Sequence, residues 1–146
     1  MYLVFLGLGG NIGNLTENFR EAKRQIREKC GEIVKESSLY RTSPWGFQSD
    51  DYFRNQVISI ETKLNPLQLL SVIHEIEGNL GRERNAIKYG SRTIDIDILY
   101  YNDLIIKNEV VEIPHPRLAE RKFVLVPLAE ISPDFIHPVL GMTQLQ

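Results

Sequence analysis

Apolar positions fall into two periods along the chain. Tyr2 to Leu8 is a short apolar run broken by Gly7, Gly9, Gly10 and Gly13, which reads as a buried strand and then a turn. Leu15, Phe19, Ala22, Ile26 and Cys30 recur at helical spacing, with Asn14 and Glu17 as a capping box and Gly31 at the C-cap. Ile33 to Tyr40 and Asn55 to Lys63 read as strands, separated by a long aromatic-containing loop over 41–54. Asn65-Pro66 opens a second helix, whose buried face is Leu69, Leu70, Ile73, Ile76 and Leu80 and whose end is Gly81. Thr93 to Tyr101 is the clearest strand; Asn102-Asp103 turns it back into Leu104-Ile105-Ile106. Beyond it the apolar pieces are short and interrupted by Pro114, Pro116, Pro127, Pro133 and Pro138. The order strand, helix, strand, strand, helix, strand predicts an α+β fold. Its core is a ferredoxin-like βαββαβ unit with a mainly antiparallel sheet, helices on one face and C-terminal additions. A doubly wound parallel sheet is disfavoured, because no helix separates the two strands within 33–63.

Composition narrows the class. The 146 residues, 42% hydrophobic and 25% charged, suit one domain spanning 1–146 with a real core. The net charge of −2 gives no global pull toward nucleic acid or anionic lipid. The single cysteine, Cys30, excludes an internal disulfide and cysteine-clustered metal sites. It falls on the apolar stripe of the first helix. No run of 18 apolar residues is present, and the opening residues lack a cationic leader, so the expectation is a cytoplasmic protein.

The chemistry concentrates in Thr93-Ile94-Asp95-Ile96-Asp97-Ile98-Leu99. Strand alternation turns Ile94, Ile96 and Ile98 into the core and Asp95 and Asp97 to the other side, about 6.5–7 Å apart. Two poorly solvated carboxylates so close need a cation, an arginine or a shared proton. Magnesium suits them, since it takes one or two carboxylates and completes its shell with water and phosphate oxygens. Arg82, Arg84, Lys88 and Arg92 crowd the segment just before, which reads as an exposed loop over 81–91. Beside an acid pair, such a cluster fits a polyphosphate. A merely polar outer face and a solvated basic loop remain the bland alternatives. The Gly7 to Gly13 turn fails as a dinucleotide fingerprint, because the third glycine position holds Ile12. His74, His115 and His137 make no zinc pattern.

The run Lys88-Tyr89-Gly90-Ser91-Arg92-Thr93-Ile94-Asp95-Ile96-Asp97-Ile98-Leu99 resembles the signature of the 6-hydroxymethyl-7,8-dihydropterin pyrophosphokinase (HPPK) family of folate biosynthesis. Further blocks resemble the same family: Gly9-Gly10-Asn11, Tyr40 to Gly46, Phe53-Arg54-Asn55, Glu77, Gly81 to Arg84, Pro114 to Arg117 and Arg121 to Leu128. The resemblance implies transfer of pyrophosphate from ATP to the pterin hydroxymethyl group with release of AMP. It implies two magnesium ions on Asp95 and Asp97, with Arg82 and Arg92 on the phosphates. It puts Thr42, Ser43, Trp45, Phe53, Asn55 and Phe123 around the pterin. His74, Glu77, Arg82, Arg84, Tyr89, Arg92, Ile98, His115 and Arg121 match the nucleotide side. ATP and the pterin are the implied partners, without nucleic acid or membrane, for a monomer. Phe53 stands where some members carry Tyr, Trp45 where an aliphatic residue is common, and Val110 and Glu112 where some place Lys and Thr. Two other readings compete, of which only the first shares the acid pair. A different two-metal enzyme, such as a nucleotidyl transferase or cyclase, would not need the aromatic pocket. A nucleotide- or RNA-binding module would show stacking aromatics on its central strands and a basic face.

Overall fold

A computed structural model describes residues 1–10, 15–42, 53–82, 94–116, 122–135, 137, 138 and 140. The elements in chain order are β1 (Tyr2–Gly10), α1 (Leu15–Lys29), β2 (Gly31–Glu36), β3 (Tyr40–Thr42), β4 (Phe53–Thr62), α2 (Pro66–Arg82), β5 (Asp95–Tyr101), β6 (Ile106–Lys107), β7 (Glu112–Ile113) and α3 (Lys122–Ile131). The main sheet runs β2-β4-β1-β5, every pair antiparallel, with β3 also pairing β4. With β2 and β3 taken together, this is the strand order of the ferredoxin-like βαββαβ unit.

Helix α1 buries Phe19, Ala22 and Ile26 and leaves its other face to charge. Arg24 bridges Glu21 at 2.5 Å and Glu28 at 2.8 Å. Such exposed pairs add only a few tenths of a kcal/mol each, about 0.3–0.5, so the apolar stripe decides where the helix lies. Helix α2 starts at a reciprocal cap: Gln68 N–H donates to Asn65 Oδ1 at 2.8 Å and Asn65 N–H to Gln68 Oε1 at 3.0 Å. Its buried residues Leu69, Ile73, Ile76 and Leu80 pack with α1 against Val4, Leu6, Leu8, Ile58, Ile60, Ile96 and Ile98 of the sheet. It runs on through Gly81 to Arg82, one residue past the expected end.

Several expectations change. Gly31 is not a helix cap but the first residue of β2, paired with Thr62 and held at φ +157°. A Cβ there would sit 2.0 Å from the Glu61 carbonyl oxygen, so glycine is required by the approach of two backbones. The strand expected over 33–40 is two pieces, because Ser37 bends the chain. Its N–H donates to the Val57 carbonyl at 2.8 Å and its Oγ accepts Val57 N–H at 2.9 Å. The Asn14 cap lies outside the described residues.

The helices do not all share a face. Helix α3 covers part of the opposite side, where Val124, Leu128 and Ile131 pack on Phe5, Val57, Leu99 and Tyr100. Proline hid this helix from the sequence pattern. Pro127 sits inside it and has no N–H for the Phe123 carbonyl, a defect of about 3 kcal/mol. Three buried side chains at roughly 1.5–3 kcal/mol each outweigh it.

Glu130 of α3 clasps the bend between β2 and β3. It accepts the Tyr40 hydroxyl at 2.6 Å, Ser38 N–H at 3.0 Å and Ser38 Oγ–H at 3.0 Å. The Tyr40 hydroxyl first, then the Ser38 N–H, hold its carboxyl below the ordinary carboxylate value. A lowered folded value stabilises above the unfolded one and loses that contribution as the acid is protonated. Stability should therefore fall as pH drops through and below 4.5, and the Glu130→Gln variant should show a shallower acid limb. Thermal melts from neutral to acid pH check this; parallel curves would contradict it.

Candidate functional site

The α3 side of the sheet is built by register. On β1, Leu6 and Leu8 face the helices, so Gly7 and Gly9 face the other way. Gly9 pairs with Asn55 of β4 on one side and Asp95 of β5 on the other; Gly7 pairs in the same manner with Val57 and Asp97. Two cross-strand rows result, Asn55–Gly9–Asp95 and Val57–Gly7–Asp97. Strand spacing sets Asn55 and Asp95 roughly 10 Å apart across β1, which has no side chain on that face at Gly7 and Gly9. The sequence suggested that Gly7 and Gly9 belong to a turn. They belong to β1, and their period of two opposite Leu6 and Leu8 was the available signal.

Asp95 and Asp97 share a face, as alternation required. They are not poorly solvated, however. Asp95 is exposed and the Asp97 side chain is 47% exposed, and no helix among the described residues covers this end of the sheet. Their repulsion is therefore screened by water. Alternation then breaks. The β1–β5 register shifts between Phe5 and Leu6, which pair with Tyr100 and Ile98, leaving Leu99 as a bulge. Leu99 and Tyr100 consequently both join the α3 side, and Tyr101 returns to the helical core.

His115 stands beside the pair, its Nε2 4.0 Å from Asp97 Oδ2. Its backbone N–H donates to the Leu99 carbonyl at 3.2 Å, fastening the segment after β7 to β5. Glu77 lies beneath. It is buried on α2, and its Oε2 accepts the Ile96 N–H at 2.9 Å, between the two aspartates. His74, one turn earlier, is exposed, so the two residues expected on one helix face occupy different surroundings. Ile98 is 6% exposed and packs in the helical core. Replacing Glu77 by Ala strands a buried N–H, at a cost of about 1–3 kcal/mol. Glu77→Gln keeps an acceptor oxygen and should retain most of that stability. Urea unfolding of both variants checks this, and equal losses would contradict it.

Asn55 is buried on the α3 side of β4 and faces the floor. Thr42 and Phe53 pair through their backbones at the start of the same ladder, and Arg82 and Phe123 have their backbones in α2 and α3. The side chains of these four residues lie outside the described part. Ser43, Trp45, Arg84, Tyr89, Arg92 and Arg121 also lie outside the described residues; of the loop expected over 81–91, Gly81 and Arg82 belong to α2 instead and the rest lies outside them. Among the described residues no group of three or more His, Cys, Asp or Glu can share a metal ion. The donor set is a carboxylate pair, which suits a hard cation that draws its other ligands from water and phosphate. No described helix is long and apolar enough to cross a membrane.

Fold and site thus define a ferredoxin-like α+β domain with an acid pair and an amide on an open, glycine-floored sheet face. Comparison with known proteins gives this class its family. The family model for 7,8-dihydro-6-hydroxymethylpterin-pyrophosphokinase matches residues 5–133. The 2-amino-4-hydroxy-6-hydroxymethyldihydropteridine pyrophosphokinase of Aquifex aeolicus is 40% identical over 139 residues, covering 95% of this chain and 86% of that protein. The folic acid synthesis protein FOL1 of Dictyostelium discoideum is 42% identical over 141 residues. The chain spans only 21% of that relative's length, and 97% of its own residues take part. The crystal structure of wild-type Plasmodium falciparum HPPK-DHPS with pteroate superposes with a TM-score of 0.78 at 21% identity, over 99% of this chain and 41% of that one, which supports the fold. The chain belongs to the HPPK family, the pyrophosphokinases of folate synthesis.

Proposed function

We propose that this domain transfers pyrophosphate from ATP to 6-hydroxymethyl-7,8-dihydropterin. The pterin hydroxymethyl oxygen bonds to the β-phosphorus, the bond between that phosphorus and the α–β bridging oxygen breaks, AMP leaves, and the hydroxyl proton is released. One observation carries the reading: a buried amide and an acidic pair flank the two glycines of β1 on one sheet face. Asn55 offers both a donor and an acceptor to a heterocycle edge. Asp95 and Asp97 would hold two magnesium ions. Bound there, magnesium would neutralise triphosphate charge and orient its oxygens.

The remaining roles follow from family resemblance. Phe53 and Phe123 stack on the pterin, and the backbones of Thr42, Ser43 and Trp45 complete its edge contacts. Arg82 and Arg92 neutralise phosphate oxygens. Arg84 and Tyr89 close over the substrates and exclude water, which competes for the phosphoryl group. His74, His115 and Arg121 serve the nucleotide. Glu77 is buried beneath β5 and Ile98 is one of the strand's own core residues, so their contribution to that side is to hold the strand.

The test is product identity. Incubated with magnesium, ATP and the reduced hydroxymethylpterin, the protein should yield AMP and pterin diphosphate in equal amounts. ADP, or unchanged ATP, would overturn the reading.

A further inference from the structure

Gly9 lies directly between the two halves of the site, paired with Asn55 on one side and Asp95 on the other. A Cβ built on it would fall 2.9 Å from Asn55 Oδ1. The next atoms are the Arg54 carbonyl oxygen at 3.8 Å and Asn55 Cγ at 4.0 Å, both ordinary contacts. The obstruction is thus one atom at the far end of a side chain, not the backbone. The situation at Gly31 is the reverse, where the obstructing atoms belong to β4 itself. A methyl group at position 9 leaves the β1–β4–β5 ladder room to form but cannot coexist with the present Asn55 amide position. Asn55 is 9% exposed, so its amide has few other places to go.

From this close approach we propose that Gly9 is a specificity-determining position, whose missing side chain seats the Asn55 amide for the edge of a planar heterocycle carrying adjacent donor and acceptor groups. The proposal rests on the reading of Asn55 as a pterin-binding residue. Gly9 acts through Asn55 and is a positioning residue. Rotation of the amide by a neighbouring methyl turns its acceptor away from the ring edge, while the carboxylates across the strand keep their places. The two substrates should therefore respond differently to one methyl group.

The experiment compares wild type, Gly9→Ala, Asn55→Ala and the double variant by titration with 6-hydroxymethylpterin. A parallel titration uses an α,β-methylene ATP analogue with magnesium. Gly9→Ala should weaken pterin binding about tenfold, the scale of one well-placed hydrogen bond. Nucleotide affinity should stay within about twofold, well below that scale. In the Asn55→Ala background the added methyl should change pterin affinity no further, because the atom it displaces is gone. An equal loss in both backgrounds would overturn the proposal, since the methyl would then be meeting the ring itself. Unchanged pterin affinity in Gly9→Ala, with a loss in Asn55→Ala, would overturn it while leaving the reading of Asn55 intact. Unchanged affinity in Asn55→Ala would overturn both. Failure of Gly9→Ala to fold would also overturn it, because the structure sets only a movable side-chain end in the way.

Discussion

Asp95→Ala and Asp97→Ala should each lower turnover by about a thousandfold, the upper range for removing one preorganised electrostatic contact in a phosphoryl-transfer site. Fold stability should barely move. Asp95 is exposed and the Asp97 side chain is 47% exposed. Substitutions at such positions change stability by roughly 0.5 kcal/mol or less. For a domain of this size that is about 2 °C in Tm. Loss of the mutual repulsion favours the variants slightly, but water screens it. AMP release measured across a magnesium titration, beside a thermal melt, separates the two effects. Turnover within threefold of wild type, or a large fall in Tm, would remove the aspartates from their proposed role.

The second large effect is purely structural. Gly31→Ala should cost about 3–5 kcal/mol, a large share of the roughly 5–15 kcal/mol that holds a domain together. The added Cβ meets the Glu61 carbonyl oxygen at 2.0 Å, the Glu61 carbonyl carbon at 3.0 Å and Thr62 Cα at 3.2 Å. All three atoms are backbone, so β2 must lift from β4 and surrender the Gly31–Thr62 and Glu32–Glu61 pairs. Gly78 supplies the control. It is exposed on α2 with nothing within 4 Å of its Cβ position, so Gly78→Ala should gain up to about 1 kcal/mol from helix propensity. Urea midpoints for the pair should move in opposite directions, and a Gly31→Ala midpoint equal to wild type would contradict the steric account.

What the sequence made legible follows from local physics. The acid pair was readable because Ile94, Ile96 and Ile98 fix strand parity over their own span. The start of α2 was readable because Asn65 and Pro66 act within one turn, and the family resemblance followed from the ordered blocks around them. The features it concealed depend on partners distant in the chain. Whether Gly7 and Gly9 turn or lie flat is settled by β4 and β5, which pair with them. Gly31 looked like a cap because the Glu61 carbonyl that crowds it lies thirty positions away. The solvation of the aspartates depends on where α3 stops covering the sheet. Pro127 marked a break by its own chemistry, and only burial of Val124, Leu128 and Ile131 overrides that local preference. Glu77 had a family role but no visible partner until Ile96 was placed beside it.

At the Leu99 irregularity the facing sense of β5 changes, so the half bearing Asp95 and Asp97 is phased independently of the half bearing Tyr100 and Tyr101. Removing Leu99 would restore plain alternation with Ile98 still opposite Leu6 and Tyr100 still opposite Phe5, so the carboxylates would keep their side and the α3 cluster would lose one apolar side chain. The irregularity thereby acts as slack in β5, and a deletion of Leu99 should be borne far better than a deletion at Ile96 or Ile98, which would turn Asp95 over.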